Sequence, residues 1–264
     1  MADITTFTNA KGGVGKTTIT LNMALCSAAD GKRTLAIDLD QQGNLSVALG
    51  IDINDLKKTA HRLLIEDREI IDDYLVEVRP GLHILPNTLD PAADNLLDAK
   101  QLNRELLLRQ KLDRVKNHFD VILIDTPPAI KTATLNALVC ANSIVLTLDS
   151  SSFAMVAMSQ MLQIIDSIQK SHNPTVKVYA VSSMYNKRQV LDQVLRTKAE
   201  DFFSSNSILG IPIRMLDTKI RNYTAIGMAT AMGKGIVEDT SSPAAEDFKN
   251  LYVELDRSRT YEQE

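Results

Sequence analysis

The sequence of 264 residues has few of the features that mark secreted, disulfide-bonded or membrane-spanning proteins. It contains two cysteines, Cys26 and Cys140, and both lie within apolar helical patterns, so we expect buried free thiols rather than a disulfide framework. No apolar run approaches the roughly 18 residues that a transmembrane helix needs, and we expect no signal peptide before the first strand. The sequence therefore favours a cytoplasmic protein.

Linkers, repeats and metal-binding spacings are also missing. No stretch rich in proline, glycine or serine divides the chain, and no internal repeat or low-complexity tract is present. The four histidines show no metal-binding spacing and are interpreted as structural or solvated: His61, His83, His118 and His172. With 44% hydrophobic residues, the chain can bury one large core, and we expect a single domain over residues 1–264.

Strand patterns alternate with helical patterns from end to end, which predicts an α/β fold: a mostly parallel, twisted sheet with helices on both faces. Strands are predicted near residues 4–8, 34–39, 82–86, 120–125, 143–148, 175–182 and 208–213. Helices are predicted near residues 16–29, 44–50, 54–66, 101–116, 132–140, 153–170, 188–204, 217–229 and 243–258.

The most informative segment is a glycine-rich loop with the sequence KGGVGKTT, at residues 11–18. It follows an apolar strand pattern and opens into a helical one, which is the context that a phosphate-binding loop requires. Glycines let the backbone curl so that successive N–H groups point at an anion, beside the N-terminus of the following helix. The segment therefore predicts a nucleotide site that includes Gly12, Gly13, Val14 and Gly15.

The side chains of the loop suggest how it would hold a nucleotide. Lys16 would contact the β- and γ-phosphates, the Thr17 hydroxyl would bind Mg²⁺, and Thr18 would hydrogen-bond the α-phosphate. Ala10 stands where the strict phosphate-loop pattern has a glycine. Lys11 is unusual, because it lies at the rim of the loop and is poorly placed to serve a nucleotide that Lys16 already contacts.

Three carboxylates follow apolar strand patterns and complete the predicted site. Asp38 and Asp40 are two residues apart at the end of one strand, so both project toward the same side. Asp125 ends another strand, where a carboxylate beside a phosphate loop holds Mg²⁺, usually through a bound water.

These motifs resemble the ParA/MinD/Soj family of P-loop ATPases, which carries a deviant Walker A motif. The family patterns K-G-G-x-G-K-T-T, D-x-D-P-Q-G-N and I-I-D-x-P-P read KGGVGKTT, DLDQQGN and LIDTPP here. Further matches lie at residues 134–138, 141–143 and 184–188, so the resemblance spans residues 4 to about 240. Gln41 stands where the family usually has proline, which would loosen the loop after Asp40.

The resemblance implies a dimer that sandwiches two ATP molecules, in which Lys11 of one subunit reaches the phosphates bound by the other. It implies that Asp40 positions the attacking water, and that Asp38 supports Mg²⁺ together with Thr17 and Asp125. It also implies that residues 41–44 and 126–128 sense the γ-phosphate. The adenine is expected near Met184 and Pro212.

The net charge of −4 argues against a generic DNA-binding protein, but the charge is unevenly distributed. Residues 175–235 contain nine basic and four acidic residues, a net charge of +5 that leaves −9 for the remainder. A one-sided positive surface can bind phosphate backbones without reading sequence, although it is also typical of an ordinary solvated face. By resemblance, Arg188 and Arg221 match DNA-contacting arginines of the family, with Lys187 and Lys219 as weaker candidates.

The first functional hypothesis is a nucleoid-associated ATPase that positions plasmids, chromosomes or other cargo with a ParB-like or other adaptor, and that has no N-terminal helix-turn-helix extension. A MinD-like membrane ATPase would need a basic amphipathic C-terminal helix. Residues 244–259 carry an apolar stripe, but their polar face is acidic, so we expect the stripe to pack on the core and the protein not to bind membranes stably. A metabolic P-loop ligase related to dethiobiotin or cobyrinic acid synthetase remains the third alternative.

Overall fold

The computed structural model describes residues 2–66, 68–99, 103–149, 154–186, 190–204 and 210–260. Over these residues, eight strands form one sheet in the order β3-β4-β2-β5-β1-β6-β7-β8. The strands are β1 (Asp3–Thr8), β2 (Thr34–Asp38), β3 (Val76–Arg79), β4 (Leu82–Leu85), β5 (Val121–Asp125), β6 (Ser143–Leu148), β7 (Lys177–Tyr185) and β8 (Ile213–Arg221). All neighbouring pairs are parallel except β3 and β4.

Helices cover both faces of the sheet. They are α1 (Lys16–Ala29), α2 (Asn44–Ala48), α3 (Ala60–Ile65), α4 (Pro91–Ala99), α5 (Leu107–Leu112), α6 (Thr132–Cys140), α7 (Ala154–Ser171), α8 (Val190–Ser204), α9 (Thr224–Ala231) and α10 (Pro243–Thr260). Three short 3₁₀ turns lie at Ile71–Tyr74, Arg104–Leu106 and Ile236–Glu238.

The alternation of side chains along β5 shows how the two layers form. Val121 and Leu123 point into one core cluster, shared with α1 and α10, whereas Ile122 and Ile124 point into the opposite cluster, shared with α5 and α6. Every residue of β5 is buried, as expected for a strand of a parallel sheet that is covered on both faces. The predicted mostly parallel sheet with helices on both faces is therefore confirmed.

The C-terminal helix α10 packs its apolar stripe against the sheet, as the sequence predicts. Phe248, Leu251 and Leu255 are fully buried in the cluster that includes α1. Tyr252 is only partly buried and donates a hydrogen bond from its hydroxyl to Asp30 Oδ2 at 2.8 Å. None of the helices within the described ranges is long and apolar enough to cross a bilayer.

Both cysteines are buried free thiols, as predicted. Burial raises the pKa of the Cys26 thiol to about 11 and that of Cys140 to about 12. Each thiol therefore stays protonated and behaves as a small apolar core residue.

The sequence patterns mislead in the last third of the chain. The sequence predicts a strand at 208–213 and a helix at 217–229. Residues 208 and 209 lie outside the described residues, and β8 occupies Ile213–Arg221, whereas α9 begins at Thr224. The two buried residues within β8, Leu216 and Ile220, are four apart, a spacing that also fits a helix. The short strand β3 and the helix α4 were not predicted at all.

Candidate nucleotide-binding site

The glycine-rich loop lies between β1 and α1, at the carboxyl edge of the sheet between β5 and β6. Gly15 precedes α1 with φ +86°, and a Cβ at this position would lie 2.6 Å from Ser183 Oγ on β7. A side chain at this position would be strained by the positive φ and would require the Ser183 hydroxyl to move. Because α1 begins with no capping side chain and no acidic residue in its first turn, its amides remain suited to an anion.

Lys16 is buried beneath the loop rather than extended into solvent. Its side chain donates from Nζ to the Lys11 carbonyl at 3.0 Å, and the residue is 6% exposed. Burial lowers the pKa of the Lys16 ammonium, and the nearby carboxylates of Asp125 and Asp40 partly oppose this effect. A phosphate above the loop would add negative charge and stabilise the ammonium form.

Thr17 and Asp125 lie in contact beside the loop and are the predicted magnesium-binding residues. The Thr17 hydroxyl donates to Asp125 Oδ2 at 2.6 Å, whereas Asp125 Oδ1 is buried and has no hydrogen-bond partner within the described parts of the chain. Burial raises the pKa of Asp125 well above its usual range, and the neighbouring Asp38 adds to the rise. Hydroxyl and carboxylate oxygens are the ligands that Mg²⁺ prefers, so the residues present fit this ion.

Asp38 braces the segment that follows β2. Its Oδ2 accepts hydrogen bonds from the Ser46 amide at 2.9 Å and the Ser46 hydroxyl at 2.7 Å, and its Oδ1 accepts from the Asp40 amide at 3.1 Å. Burial raises the pKa of Asp38 to about 7. These contacts account for the expected support of the loop, whereas a contact between Asp38 and a metal stays a prediction.

Asp40 lies just beyond β2, is 7% exposed, and accepts a hydrogen bond from the Gln42 amide at 3.0 Å. The turn that follows is closed by a bond from the Gly43 amide to the Asp40 carbonyl at 2.9 Å. Gly43 has φ +64°, and a Cβ there would lie 2.7 Å from the Asn87 carbonyl oxygen. The loop thus keeps a defined turn although Gln41 replaces the family's proline.

The rim lysine is held by its own chain. Lys11 forms an ion pair through Nζ with Asp149, the residue that follows β6. Asn9 supports this arrangement, because its Oδ1 accepts from the Lys11 amide at 2.9 Å and its Nδ2 donates to the Thr147 carbonyl at 2.5 Å. The ammonium of Lys11 therefore rests on the β6 side of the loop.

Sequence reasoning missed three polar residues of this site: Asn9, Ser46 and Asp149. Asp149 could have been found by the rule that identified Asp125, since it is also a carboxylate at the carboxyl end of a strand beside the loop. Asn9 acts through a contact with Thr147, 138 residues away, and Ser46 through a contact with Asp38, eight residues away, and neither contact has a signal in the local sequence.

The two residues expected near adenine lie at opposite edges of the sheet. Met184 is near the carboxyl end of β7, next to Ser183, which faces Gly15 of the loop, and it is 44% exposed with φ +56°. Pro212 immediately precedes β8, whose first residue Ile213 pairs with Val178 near the start of β7. Pro212 therefore lies at the amino edge of the sheet, opposite the loop, and its placement at the adenine was wrong.

The predicted DNA-binding residues are only partly described. Lys187 and Arg188 lie outside the described residues. Lys219 and Arg221 are near the carboxyl end of β8, at the same edge as the loop. The Lys219 ammonium is 5.1 Å from the centre of the Tyr185 ring.

Arg221 is both anchored and partly open to solvent. It donates from Nε at 3.0 Å and from Nη2 at 2.5 Å to the buried Asp247 carboxylate, while 44% of its side chain remains exposed. A guanidinium in this geometry has part of its charge compensated within the protein. Its contact with DNA stays a prediction.

Replacing Asp125 with Asn should stabilise the ligand-free protein at pH 8. The raised pKa means that the folded state resists ionisation of this carboxyl, so stability contributed by its proton is present at low pH and lost as pH rises. The gain in melting temperature should therefore shrink as the pH falls toward 4. Thermal unfolding of both proteins between pH 4 and pH 8 measures this gain. An Asn variant that is less stable than the wild-type protein at pH 8 would contradict the raised pKa of Asp125.

Comparison with known proteins agrees with this geometry. The family model described as AAA domain matches residues 2–178. The sporulation initiation inhibitor protein Soj of Bacillus subtilis is 30% identical over 257 residues, covering 97% of this chain and 98% of Soj. The chromosome partitioning protein ParA of Myxococcus xanthus is 34% identical over 249 residues, covering 94% and 85% of the two chains.

Among solved structures, cobyrinic acid a,c-diamide synthase from Mycobacterium smegmatis, with a bound ATP analogue and magnesium, is similar at a TM-score of 0.82 and 27% identity. The alignment covers 97% of this chain and 95% of that one. The family model matches about two thirds of the chain, and Soj and ParA align over most of their length. The deviant phosphate loop at the edge of the parallel sheet agrees with these matches. The chain belongs to the ParA/MinD family of P-loop ATPases.

Proposed function

We propose that this chain is a ParA-type ATPase that dimerises on ATP, binds DNA without sequence preference as a dimer, and positions or segregates a plasmid, chromosome or other cargo. A cargo-bound adaptor, ParB-like or of another kind, would stimulate hydrolysis, which would be slow without it. The observation that carries the proposal is the pairing of Lys11 with Asp149 at the rim of a loop that already has Lys16.

The proposal assigns a different role to each of the two lysines. Lys16 is buried against the loop. It would serve the nucleotide of its own chain. Lys11 is part-exposed, with 32% of its side chain accessible, and its ion pair with Asp149 must open before the ammonium can reach another phosphate. A second subunit that presents its triphosphate would supply the competing negative charge, so ATP would favour the dimer.

Within each subunit, the chain's own residues would prepare the hydrolytic step. Thr17 and Asp125 would hold Mg²⁺, which neutralises charge on the phosphates when it is bound. Asp40 would orient the attacking water, and Asp38 would keep the Asp40 segment in place through its bonds to Ser46 and the Asp40 amide. Lys11 from the partner would stabilise the charge that develops on the transferred phosphoryl group.

The DNA-binding step follows from charge and symmetry. One basic face per subunit binds DNA weakly, whereas a dimer aligns two such faces and multiplies the phosphate contacts. Arg188, Arg221, Lys187 and Lys219 are the proposed contacts. Hydrolysis would separate the subunits and release the DNA. The protein would thus be a cytoplasmic, nucleoid-associated ATPase whose hydrolysis rate sets how long it stays on DNA.

The test is retention on nonspecific DNA in the presence of ATP and Mg²⁺. The wild-type protein should be retained with ATP but not with ADP, and retention should fall steeply between about 50 and 200 mM salt. Arg188→Glu should abolish retention while leaving ATP-driven dimerisation intact, because it inverts a phosphate-binding charge.

Lys116→Glu makes the same change in net charge at the opposite edge of the sheet, where the Lys116 carbonyl accepts from the Ala2 amide, and should retain DNA normally. Equal retention of the Arg188→Glu variant and the wild-type protein would place the DNA surface elsewhere. No retention of the wild-type protein in either nucleotide state would defeat the DNA-binding proposal.

The similarity to the mycobacterial diamide synthase favours one second candidate, a metabolic P-loop ligase. It is the weaker candidate, because a ligase that works within one chain gives no role to the paired Lys11. The DNA-retention assay separates the two. The predicted lack of stable membrane binding can be checked by co-sedimentation with anionic vesicles in the presence of ATP.

A further inference from the structure

The backbone of the residue before Asp40 is held from two sides. The Leu39 amide donates to the Asp125 carbonyl at 3.0 Å, and the Leu39 carbonyl accepts from His61 Nε2 at 3.0 Å. Leu39 is fully buried. These two bonds hold the backbone at Leu39, the residue from which the chain continues to Asp40, in addition to the bond between Asp38 and the Asp40 amide.

His61 is placed for this contact by α3. It is the second residue of the helix, whose N-cap Thr59 accepts from the Arg62 amide at 3.2 Å. The His61 side chain is 6% exposed. Since a carbonyl oxygen can only accept, the hydrogen bond to Leu39 requires a proton on Nε2 and therefore one orientation of the ring.

Asp94 on α4 fixes the other side of the ring by pairing with His61 Nδ1. The second carboxylate oxygen of Asp94 is buried and has no hydrogen-bond partner among the residues that the structure describes. His61 and Asp94 line a cavity of about 150 Å³ together with Asp40, Gln42 and Pro128. The pair thus connects α3 and α4 to the segments expected to sense the γ-phosphate.

We propose that His61, oriented by Asp94, is a positioning residue for ATP hydrolysis: it fixes the Leu39 carbonyl so that Asp40 faces the nucleotide. This inference rests on the proposed function, in which Asp40 orients the attacking water. His61 itself does not touch the nucleotide in this scheme. It acts through one backbone hydrogen bond, and the cavity beside it provides space for the Asp40 segment to shift when that bond is lost.

Two substitutions of His61 distinguish the contact of Nε2 with Leu39 from the contact of Nδ1 with Asp94. In His61→Gln the amide nitrogen can still reach the Leu39 carbonyl, whereas in His61→Asn the shorter side chain keeps a donor toward Asp94 and loses Leu39. We expect kcat to fall about tenfold or more in His61→Asn, with the KM for ATP unchanged, because small displacements of a positioning group affect the chemical step most. His61→Gln should stay within about threefold of the wild-type kcat.

Asp94→Ala provides a second measurement on a less buried residue, and kcat should fall there as well because the ring loses its anchor. The control is Arg62→Gln, which breaks the neighbouring ion pair between Arg62 on α3 and Asp90, the residue before α4, without touching Leu39. It should leave kcat unchanged. Equal kcat values for His61→Gln and His61→Asn, or an equal loss in Arg62→Gln, would overturn the inference.

The Asp40→Ala variant, measured in the same assay, separates a failure of the positioning role of His61 from a failure of the proposed role of Asp40 in hydrolysis. Hydrolysis that is lost in Asp40→Ala but normal in His61→Asn would refute the positioning role alone. Normal hydrolysis in Asp40→Ala would instead refute the role given to Asp40, and with it this inference.

Discussion

Lys11→Ala should bind ATP as a monomer and lose both ATP-dependent dimerisation and adaptor-stimulated hydrolysis. The lysine that serves the nucleotide within the chain, Lys16, is untouched, and the ion pair that Lys11 makes is with Asp149 at the rim. Removing one preorganised group that stabilises transition-state charge typically costs a factor of about 10² to 10³ in rate. Nucleotide binding by fluorescence, mass by light scattering and phosphate release measure the three properties separately.

Two further variants make this result specific. Lys16→Ala should fail at the earlier step of nucleotide binding, because its ammonium lies beneath the loop. Asp149→Asn should have the opposite effect to Lys11→Ala, since a neutral partner holds Lys11 less tightly and the dimer should form at lower ATP concentration. A Lys11→Ala protein that dimerises and hydrolyses ATP like the wild-type protein would show that the rim lysine has no role across a subunit boundary.

Asp40→Ala should trap the ATP-bound dimer on DNA. The side chain is removed at the edge of the loop, while Thr17, Asp125 and both lysines remain to hold the nucleotide. Loss of a group that positions or activates the attacking water typically slows the step by a factor of about 10² to 10⁴. The variant should therefore be retained on nonspecific DNA far longer than the wild-type protein after free ATP is removed, as followed by dissociation in real time.

The matched control is Asp52→Ala, which removes an exposed carboxylate that accepts hydrogen bonds from Asn54 in the loop after α2. It should dissociate from DNA and hydrolyse ATP at wild-type rates. An Asp40→Ala protein that hydrolyses ATP normally, or that leaves DNA as fast as the wild-type protein, would require another residue to handle the water.

Local sequence was sufficient to predict the site where a strand, a loop and a helix follow one another directly along the chain. The loop between β1 and α1 could be predicted because glycine spacing, Lys16 and Thr17 stand in one short segment. Asp125 could be predicted because a strand that ends in a carboxylate places it at the carboxyl edge of a parallel sheet. The parallel sheet itself followed from the alternation of strand and helix patterns.

Sequence failed where position depends on contacts between distant segments. Pro212 was assigned to the adenine by resemblance, whereas the pairing of Ile213 with Val178 places it at the amino edge of the sheet. The last strand was misplaced because Leu216 and Ile220 fit a helix as well as a strand. His61 carries no pattern of its own. The pairing of Asp149 with Lys11, 138 residues away, and that of His61 with Leu39, 22 residues away, have no signal in the local sequence. Only the folded chain brings these groups together.

The most direct measurement is the mass of the Asp40→Ala protein in ATP and Mg²⁺, compared with the same variant that also carries Lys11→Ala. The chain has a mass of 29.1 kDa. We expect a particle of about twice that mass for the single variant and a particle of one chain for the double variant. The double variant lacks the Lys11 ammonium that would contact the phosphates bound by the partner subunit. A single-chain mass for Asp40→Ala, or a stable dimer without Lys11, would contradict the account.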